Sequence, residues 1–380
     1  MTLIYIVAGE QSGDVLGGRL MAALRRLRPD ISFAGIGGPL MAQQGLASRF
    51  PLHELAIMGL LEVLPRIVRL RRLLEGTVAD VAARRPAVLV TIDSPGFTLR
   101  LLRRVAPLGI RRVHYVAPQV WAWRERRVRH FPGLWDRLLC LLPFEPAFFA
   151  RHGLAAQFVG HPVLESGADE GSGARFRARH GIAPEAPVVV LMPGSRRSEV
   201  GRLLPVFGAA LALLAARLPG LVAVVPVASA VAGRVQQGVA GWAVRPIVVS
   251  DTAEKHDAFA AAAAALTKSG TSTLELALAG VPMAVAYRVN PLTAAIARRL
   301  IRVPYAAMVN LLAGREVVAE LLQEDCTPAR LAGEMERLIG DEEAAEAQRA
   351  AFAEILAGLT PEEGLPSEAA ARAVLEVLGG

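Results

Sequence analysis

The sequence predicts an α/β protein made of two halves, each a parallel sheet covered by helices on both faces. Three observations predict it. Short apolar runs alternate with helical patterns along most of the 380 residues, as buried parallel strands do. The pattern restarts after a polar, Gly-rich stretch, Glu165 to Pro187, which reads as a linker. The chain is 53% hydrophobic and 20% charged, enough for two cores and unlike a disordered chain. Two such halves would leave a cleft between them, facing the carboxyl ends of both sheets.

The first strand is expected at Leu3–Ala8, because the N-terminus has no cationic region and its apolar run is too short for a signal peptide. Further strands of the first half are expected at Ser32–Ile36, Ala87–Ile92, Arg112–Val116, Arg137–Leu142 and Gln157–Val159. Those of the second half fall at Val188–Met192, Val222–Val227, Pro246–Ser250, Ala262–Thr267 and Met283–Tyr287. Helical patterns such as Gly17–Arg28 and Glu62–Leu74 lie between them. The most apolar stretch, Leu203 to Val227, is interrupted by Arg217, Pro219 and Gly220, so it reads as a helix and a buried strand rather than a membrane span. From Pro328 onward the chain reads as Ala/Glu-rich helices with the acidic run Asp341-Glu342-Glu343.

Charge is divided unevenly. Residues 1–160 carry 22 Lys+Arg against 11 Asp+Glu, and residues 161–380 carry 20 against 24. The first half therefore faces something anionic: nucleic acid, an anionic membrane or a phosphorylated small molecule. Only Lys255 and Lys268 among the 42 basic residues are lysine. Cys140 and Cys326 have no partner at zinc or redox spacing, which points to a reducing compartment. The seven histidines are scattered and no Asp-x-Asp occurs, so a metal-independent reaction is expected.

The loops at strand ends carry the chemistry. Lys268-Ser269-Gly270-Thr271-Ser272 is a small polar turn between an apolar run and a helical pattern, with Glu275 about one turn in. Its backbone N–H groups suit phosphate, and a nearby carboxylate suits ribose hydroxyls. The alternative is a capped helix with a favourable charge near its start. Pro193-Gly194-Ser195-Arg196-Arg197 follows another strand, and an arginine there could neutralise a leaving diphosphate. Asp93 follows the strand ending at Ile92 and could act as a base on a sugar hydroxyl, or simply open the turn at Ser94-Pro95. The first loop, Gly9-Glu10-Gln11-Ser12-Gly13-Asp14, is a Gly-rich strand-to-helix turn without a dinucleotide or NTPase signature.

Two further segments are open to several readings. Gln119-Val120-Trp121-Ala122-Trp123-Arg124 and the arginines after it could be a membrane-interface element or an Arg cluster for a phosphorylated ligand. A nucleic-acid platform is the weakest choice, with only 5% aromatics overall. Met58, Leu60 and Leu61 lie in an apolar run flanked by Arg66, Arg69, Arg71 and Arg72, the composition of a membrane contact or of a core helix with snorkelling arginines.

Gly9–Asp14, Ile92-Asp93-Ser94-Pro95, Val116–Trp123, Leu142–Glu145, Val159-Gly160-His161-Pro162, Leu191–Arg196, Lys268–Glu275 and Asn310-Leu311-Leu312 occur in this order. Together they resemble the lipid-A-disaccharide synthases, from Ala8 to about Glu320. The resemblance implies a GT-B glycosyltransferase: two Rossmann-like domains at 1–165 and 188–355, a linker at 166–187, and a final helix at 356–380 crossing back to the first domain. It implies an inverting reaction that joins UDP-2,3-diacylglucosamine to 2,3-diacylglucosamine 1-phosphate through a β-1′,6 bond and releases UDP. Asp93 and Arg196 would be catalytic. Ser195, Lys268, Ser269, Gly270, Thr271, Ser272, Glu275 and Asn310 would hold the nucleotide sugar, which is a substrate, with no cofactor and no metal. Ser12, Asp14, Gln119, Trp121, Trp123, Arg124, Met58, Leu60 and Leu61 would face the acceptor and the membrane. The implied partners are lipid-linked sugars and the anionic inner leaflet of the inner membrane, reached from the cytoplasm, and a second copy through the C-terminal segment; no nucleic acid is implied. The family's Asp and Asn are replaced here by Gly96 and Thr98, which receive no role. Two alternatives stay open: another GT-B sugar-nucleotide enzyme, of the UDP-N-acetylglucosamine 2-epimerase or lipid I transferase type, or a non-catalytic membrane- or nucleic-acid-binding module.

Overall fold

The computed structural model describes residues 2–55, 67–290, 293–294 and 303–379. They form two compact units, Met1–Glu165 with Leu359–Gly380, and Ser166–Gly358.

The first unit is a six-stranded sheet of β1 (Thr2–Ala8), β2 (Ile31–Ile36), β3 (Val88–Ile92), β4 (Arg111–Tyr115), β5 (Arg137–Cys140) and β6 (Ala156–Phe158). All pairs are parallel and the spatial order is β2-β1-β3-β4-β5-β6. Strands alternate their side chains between the two faces. Ile4, Ile6 and Ala8 meet Leu16, Leu20 and Leu24 of helix Gln11–Leu27 and Val374 of helix Pro366–Gly379. Tyr5 and Val7 turn the other way, into a core with Leu101 of helix Pro95–Val105 and Val81 of helix Ile67–Arg84. With both faces covered, β3 is buried at all five positions, which explains its unbroken apolar run.

The second unit is β7 (Val188–Met192), β8 (Val222–Pro226), β9 (Ile247–Val249), β10 (Ala264–Lys268), β11 (Met283–Tyr287) and β12 (Glu320–Leu322). This sheet is also wholly parallel, in the order β12-β11-β10-β7-β8-β9. Helix Arg197–Ala215 is apolar enough to span a membrane, with a mean hydropathy of 1.5, but 56% of that stretch is buried. Leu203, Phe207 and Leu211 pack it onto β7 and onto Leu331 and Met335 of helix Pro328–Gly340.

The expected strands form, with shifted ends. β12 was not foreseen: three residues that include Glu320 give no apolar run. The first helix starts at Gln11 rather than Gly17. The expected start of a helix at Glu62 lies outside the described residues.

The stretch 166–187 is not a free linker. It carries helix Gly173–His180, whose Ser172 hydroxyl accepts from Arg175 N at 3.3 Å. The Arg175 guanidinium donates to both oxygens of Asp257, at 2.6 and 2.5 Å. Gly171 and Gly173 allow close packing, since a Cβ on the first would sit 2.0 Å from the His256 carbonyl oxygen and one on the second 2.6 Å from that of Ala260. The chain returns to the first unit at Leu359, whose carbonyl accepts from His161 N at 3.0 Å. Glu165 then accepts from the N–H and hydroxyl of Ser367, at 2.9 and 2.6 Å.

Candidate active site

In open parallel sheets, ligands bind beyond the carboxyl ends of the strands, where the strand order reverses. Each sheet has one such point. In the first it lies between β1 and β3, and in the second between β7 and β10.

Asp93 leaves β3 at the first point. Asp93 and Ser94 both have left-handed backbones, with φ of 49° and 48°. Val116, leaving neighbouring β4, has φ 76°, which is costly for a β-branched residue. Strain of this kind persists only where the surroundings hold it. Here the Thr98 hydroxyl donates to the carbonyls of Asp93 and Ser94, at 2.6 and 2.9 Å. Thr98 is fully buried, so its role is to clamp this turn. The Asp93 carboxylate accepts from Ser94 N at 2.7 Å. Burial raises its pKa above the ordinary aspartate value, against the pull of that N–H. A half-buried carboxyl of raised pKa at a strand exit can take a proton from a hydroxyl. A Cβ on Gly96 would meet nothing within 4 Å, so its side of the turn is open.

Ser12 is exposed in the first turn of helix Gln11–Leu27. Asp14 is a correction. It is 4% exposed and faces inward, accepting from Gly38 N, Leu40 N and Met41 N at 2.8, 3.0 and 3.1 Å. Its charge is spent on closing the start of helix Pro39–Gln43 and is not offered to an acceptor.

The exits of β4 and β5 are tied by Glu145, which the sequence places in the segment Leu142–Glu145 without a role of its own. This buried carboxylate accepts from Trp121 Nε1 at 3.0 Å and from Leu141 N and Leu142 N, both at 3.1 Å. Burial pushes its pKa up to about 7 against those three donors. Trp121 is thereby anchored, edge-on to Phe144 at 4.9 Å. Trp123, two residues on, is 42% exposed, with the Arg124 guanidinium 3.8 Å over its ring. Gln119 is exposed beside them. Met58, Leu60 and Leu61 lie outside the described residues.

At the second point, one buried carboxylate joins the two loops. Glu199, 7% exposed, accepts from Ser195 N and Arg196 N through Oε2, both at 3.1 Å. Its Oε1 faces Arg196 Nη1 at 3.5 Å and Lys268 Nζ at 3.3 Å. Gly194 makes room for it: φ is 112°, and a Cβ there would sit 2.5 Å from Oε2. The backbone N–H groups of Ser195 and Arg196 are therefore taken by Glu199. The Arg196 guanidinium itself is 57% exposed and remains available.

The turn after β10 needs Gly270, whose φ is 148°. Ser269 Oγ donates to the Ala306 carbonyl at 2.5 Å, and Ser272 Oγ pairs with Thr267 Oγ1 at 3.0 Å. Thr271 is exposed. Glu275 lies within helix Ser272–Leu278, and its Oε2 accepts from Lys255 Nζ at 3.1 Å. Lys255 stands 20 residues upstream, and only its rarity as a lysine could have marked it. Asn310 is a second correction. It is fully buried, donates to Val318 O and Glu320 Oε1, and accepts from Val317 N and Val318 N, all at 2.8–2.9 Å. With both ends of its amide engaged, it braces the approach to β12 and has nothing left for a nucleotide.

Known proteins share the sequence and the fold. A family profile described as lipid-A-disaccharide synthetase matches residues 4–374. The lipid-A-disaccharide synthase of Granulibacter bethesdensis is 61% identical, over 99% of each chain. That of Gluconobacter oxydans is 59% identical, over 99% of this chain and 91% of the relative. The fold is shared more widely. The UDP-GlcNAc 2-epimerase of Neisseria meningitidis, solved with UDP-GlcNAc, covers 100% of this chain and 99% of its own at TM-score 0.65 and 14% identity. The S. aureus MnaA–UDP structure covers 100% and 97%, at TM-score 0.68 and 13% identity. These two structures share the architecture alone, whereas the synthases match in sequence from end to end. The chain therefore belongs to the lipid-A-disaccharide synthase family, glycosyltransferases of lipid A biosynthesis with a GT-B fold.

Proposed function

We propose that the chain joins UDP-2,3-diacylglucosamine to 2,3-diacylglucosamine 1-phosphate, forming a β-1′,6 bond and releasing UDP. The observation that carries this reading is Asp93, a half-buried carboxylate of raised pKa on a strained strand exit. It removes the proton from the acceptor 6-hydroxyl as that oxygen attacks C1 of the donor sugar. The C1–O bond to UDP breaks from the opposite side, so the anomeric centre inverts. A positioned base of this kind contributes about 10²–10⁴-fold in rate.

The donor's anchors belong to the second unit. Lys268 and the exposed Arg196 supply positive charge for the diphosphate as it leaves, and Glu275 accepts hydrogen bonds from the ribose. With two cations for that charge, the step needs no metal or other cofactor. UDP was the ligand of one structural neighbour and UDP-GlcNAc of another, in keeping with a UDP-sugar donor.

The acceptor's acyl chains and phosphate suit the first unit. Exposed Trp123 and Phe144 stand among exposed Arg124, Arg126, Arg127 and Arg129, the chemistry of an anionic bilayer surface. Each buried CH₂ of an acyl chain adds about 0.8 kcal/mol to such attachment. The enzyme works from the cytoplasm on the inner leaflet of the inner membrane in this reading.

The test is incubation of the purified protein with both lipid sugars in detergent and EDTA, followed by mass spectrometry. Equal amounts of disaccharide 1-phosphate and UDP are expected. Product only after a divalent metal is restored would sink the metal-free step. No disaccharide at all, in protein that still binds UDP, would sink the substrate assignment.

A further inference from the structure

Arginine carries almost all the positive charge of this chain; Lys255 and Lys268 are the only lysines among 42 basic residues. Both ammonium groups end on carboxylates around one turn. Lys268 Nζ lies 3.3 Å from Glu199 Oε1, and Lys255 Nζ lies 3.1 Å from Glu275 Oε2. The Lys255–Glu275 pair is also sheltered, with side chains 20% and 28% exposed, and Lys255 Nζ sits 5.6 Å from the Phe259 ring.

The choice of lysine has a chemical meaning here. A guanidinium is a planar fork that engages both oxygens of a carboxylate, as Arg175 does on Asp257. An ammonium is a compact point charge. On Glu275 it engages Oε2 and leaves Oε1 to another donor. A vicinal diol offers two donors that need such an acceptor.

We infer that Lys255 is a positioning residue for nucleotide recognition. Its ammonium fixes Oε2 of Glu275 so that Oε1 accepts from the ribose diol of the donor. This rests on the reading that a UDP-sugar binds at the Lys268–Glu275 turn. Lys255 touches no reacting atom; it acts through Glu275.

Calorimetric titration with UDP and with 2′-deoxy-UDP tests it, on the wild type, Lys255→Met and Lys255→Arg. The wild type should prefer UDP by about tenfold, the scale of one charge-assisted hydrogen bond. Lys255→Met should bind 2′-deoxy-UDP as the wild type does and lose the preference, and that unchanged affinity also shows that the variant is folded. Lys255→Arg keeps the charge but forks across both oxygens, so it should lose the preference too. In turnover, the donor KM should rise severalfold in both variants while kcat stays near the wild-type value. A full UDP preference in Lys255→Met overturns the inference while leaving the donor reading intact. No UDP binding by the wild type overturns the donor reading itself, and the inference with it.

Discussion

Gly9 and Ser94 approach so closely that a Cβ on Gly9 would lie 2.2 Å from both the Cβ and the Oγ of the serine. The loop after β1 therefore rests directly against the strained turn that presents Asp93. Gly9→Ala must push that turn away. A displacement of about 1 Å at a reacting group costs about 10²-fold in rate. Turnover should fall by that order, with donor binding kept. Steady-state kinetics beside UDP titration checks this, and an unchanged kcat would mean the contact is irrelevant to catalysis.

Asp93 should set the acid limb of the rate profile. The base works only when ionised, and burial raises its pKa above the ordinary value of 3.8. Activity should therefore fall, as pH is lowered, at a higher pH than a free aspartate would give. Asp93→Asn should lower kcat by about 10²–10⁴-fold and leave UDP affinity unchanged. A residual rate with the wild-type acid limb would point to a different base.

Glu199→Ala strands two backbone N–H groups and the Lys268 ammonium at the second switch point. These donors are only partly buried, so the loss should lie toward the lower end of the about 1–3 kcal/mol that an unsatisfied buried donor costs. Urea unfolding should show a loss of that size, together with weaker UDP binding. If stability falls but UDP affinity does not, Glu199 is structural only.

Glu145 makes stability depend on pH in an uncommon direction for a carboxylate. It titrates near 4.5 in an unfolded chain and at about 7 in the fold. The folded form holds the proton more tightly, so its contribution is complete below about pH 4.5 and is lost as pH rises through 7, by about 3 kcal/mol in all. Glu145→Gln has no such titration. Comparing urea midpoints at about pH 5 and pH 8 should show the wild type losing ground to the variant at the higher pH. Equal losses in both proteins would remove Glu145 as the cause.

Asn310→Ala separates support from recognition. Four hydrogen bonds of a fully buried amide disappear, which should cost about 2–4 kcal/mol. The donor KM should remain unchanged, measured at a temperature where the variant is folded. A tenfold rise in KM would restore Asn310 to the nucleotide site.

Much of the fold could be read from the sequence, because buried parallel strands such as β1, β3, β7, β8 and β11 are short apolar runs. Asp93 was also legible, as a lone acid just past such a run. What could not be read are the groups whose partners are distant in sequence or in the backbone. Asp14 looks free until Gly38, Leu40 and Met41 come round to it. Asn310 looks like a ligand until Val317 and Val318 close on it. Glu145 and Glu199 look like ordinary acids at helix starts, since nothing local reveals their burial. The stretch 166–187 reads as a linker, and nothing local shows that Gly171 and Gly173 pack against the backbone of helix Thr252–Ala261.

Helix Pro366–Gly379 covers the β3, β4 and β5 face of the first unit beside helix Gln11–Leu27, yet the whole second unit separates it in sequence from the rest of its own unit. Roughly 200 residues of the second unit are translated in between, on the order of 10–40 s at ordinary elongation rates. During that time the first sheet is a nascent chain with one flank bare. The first unit can therefore finish folding only once Pro366–Gly379 has been synthesised, and not on completion of residue 165.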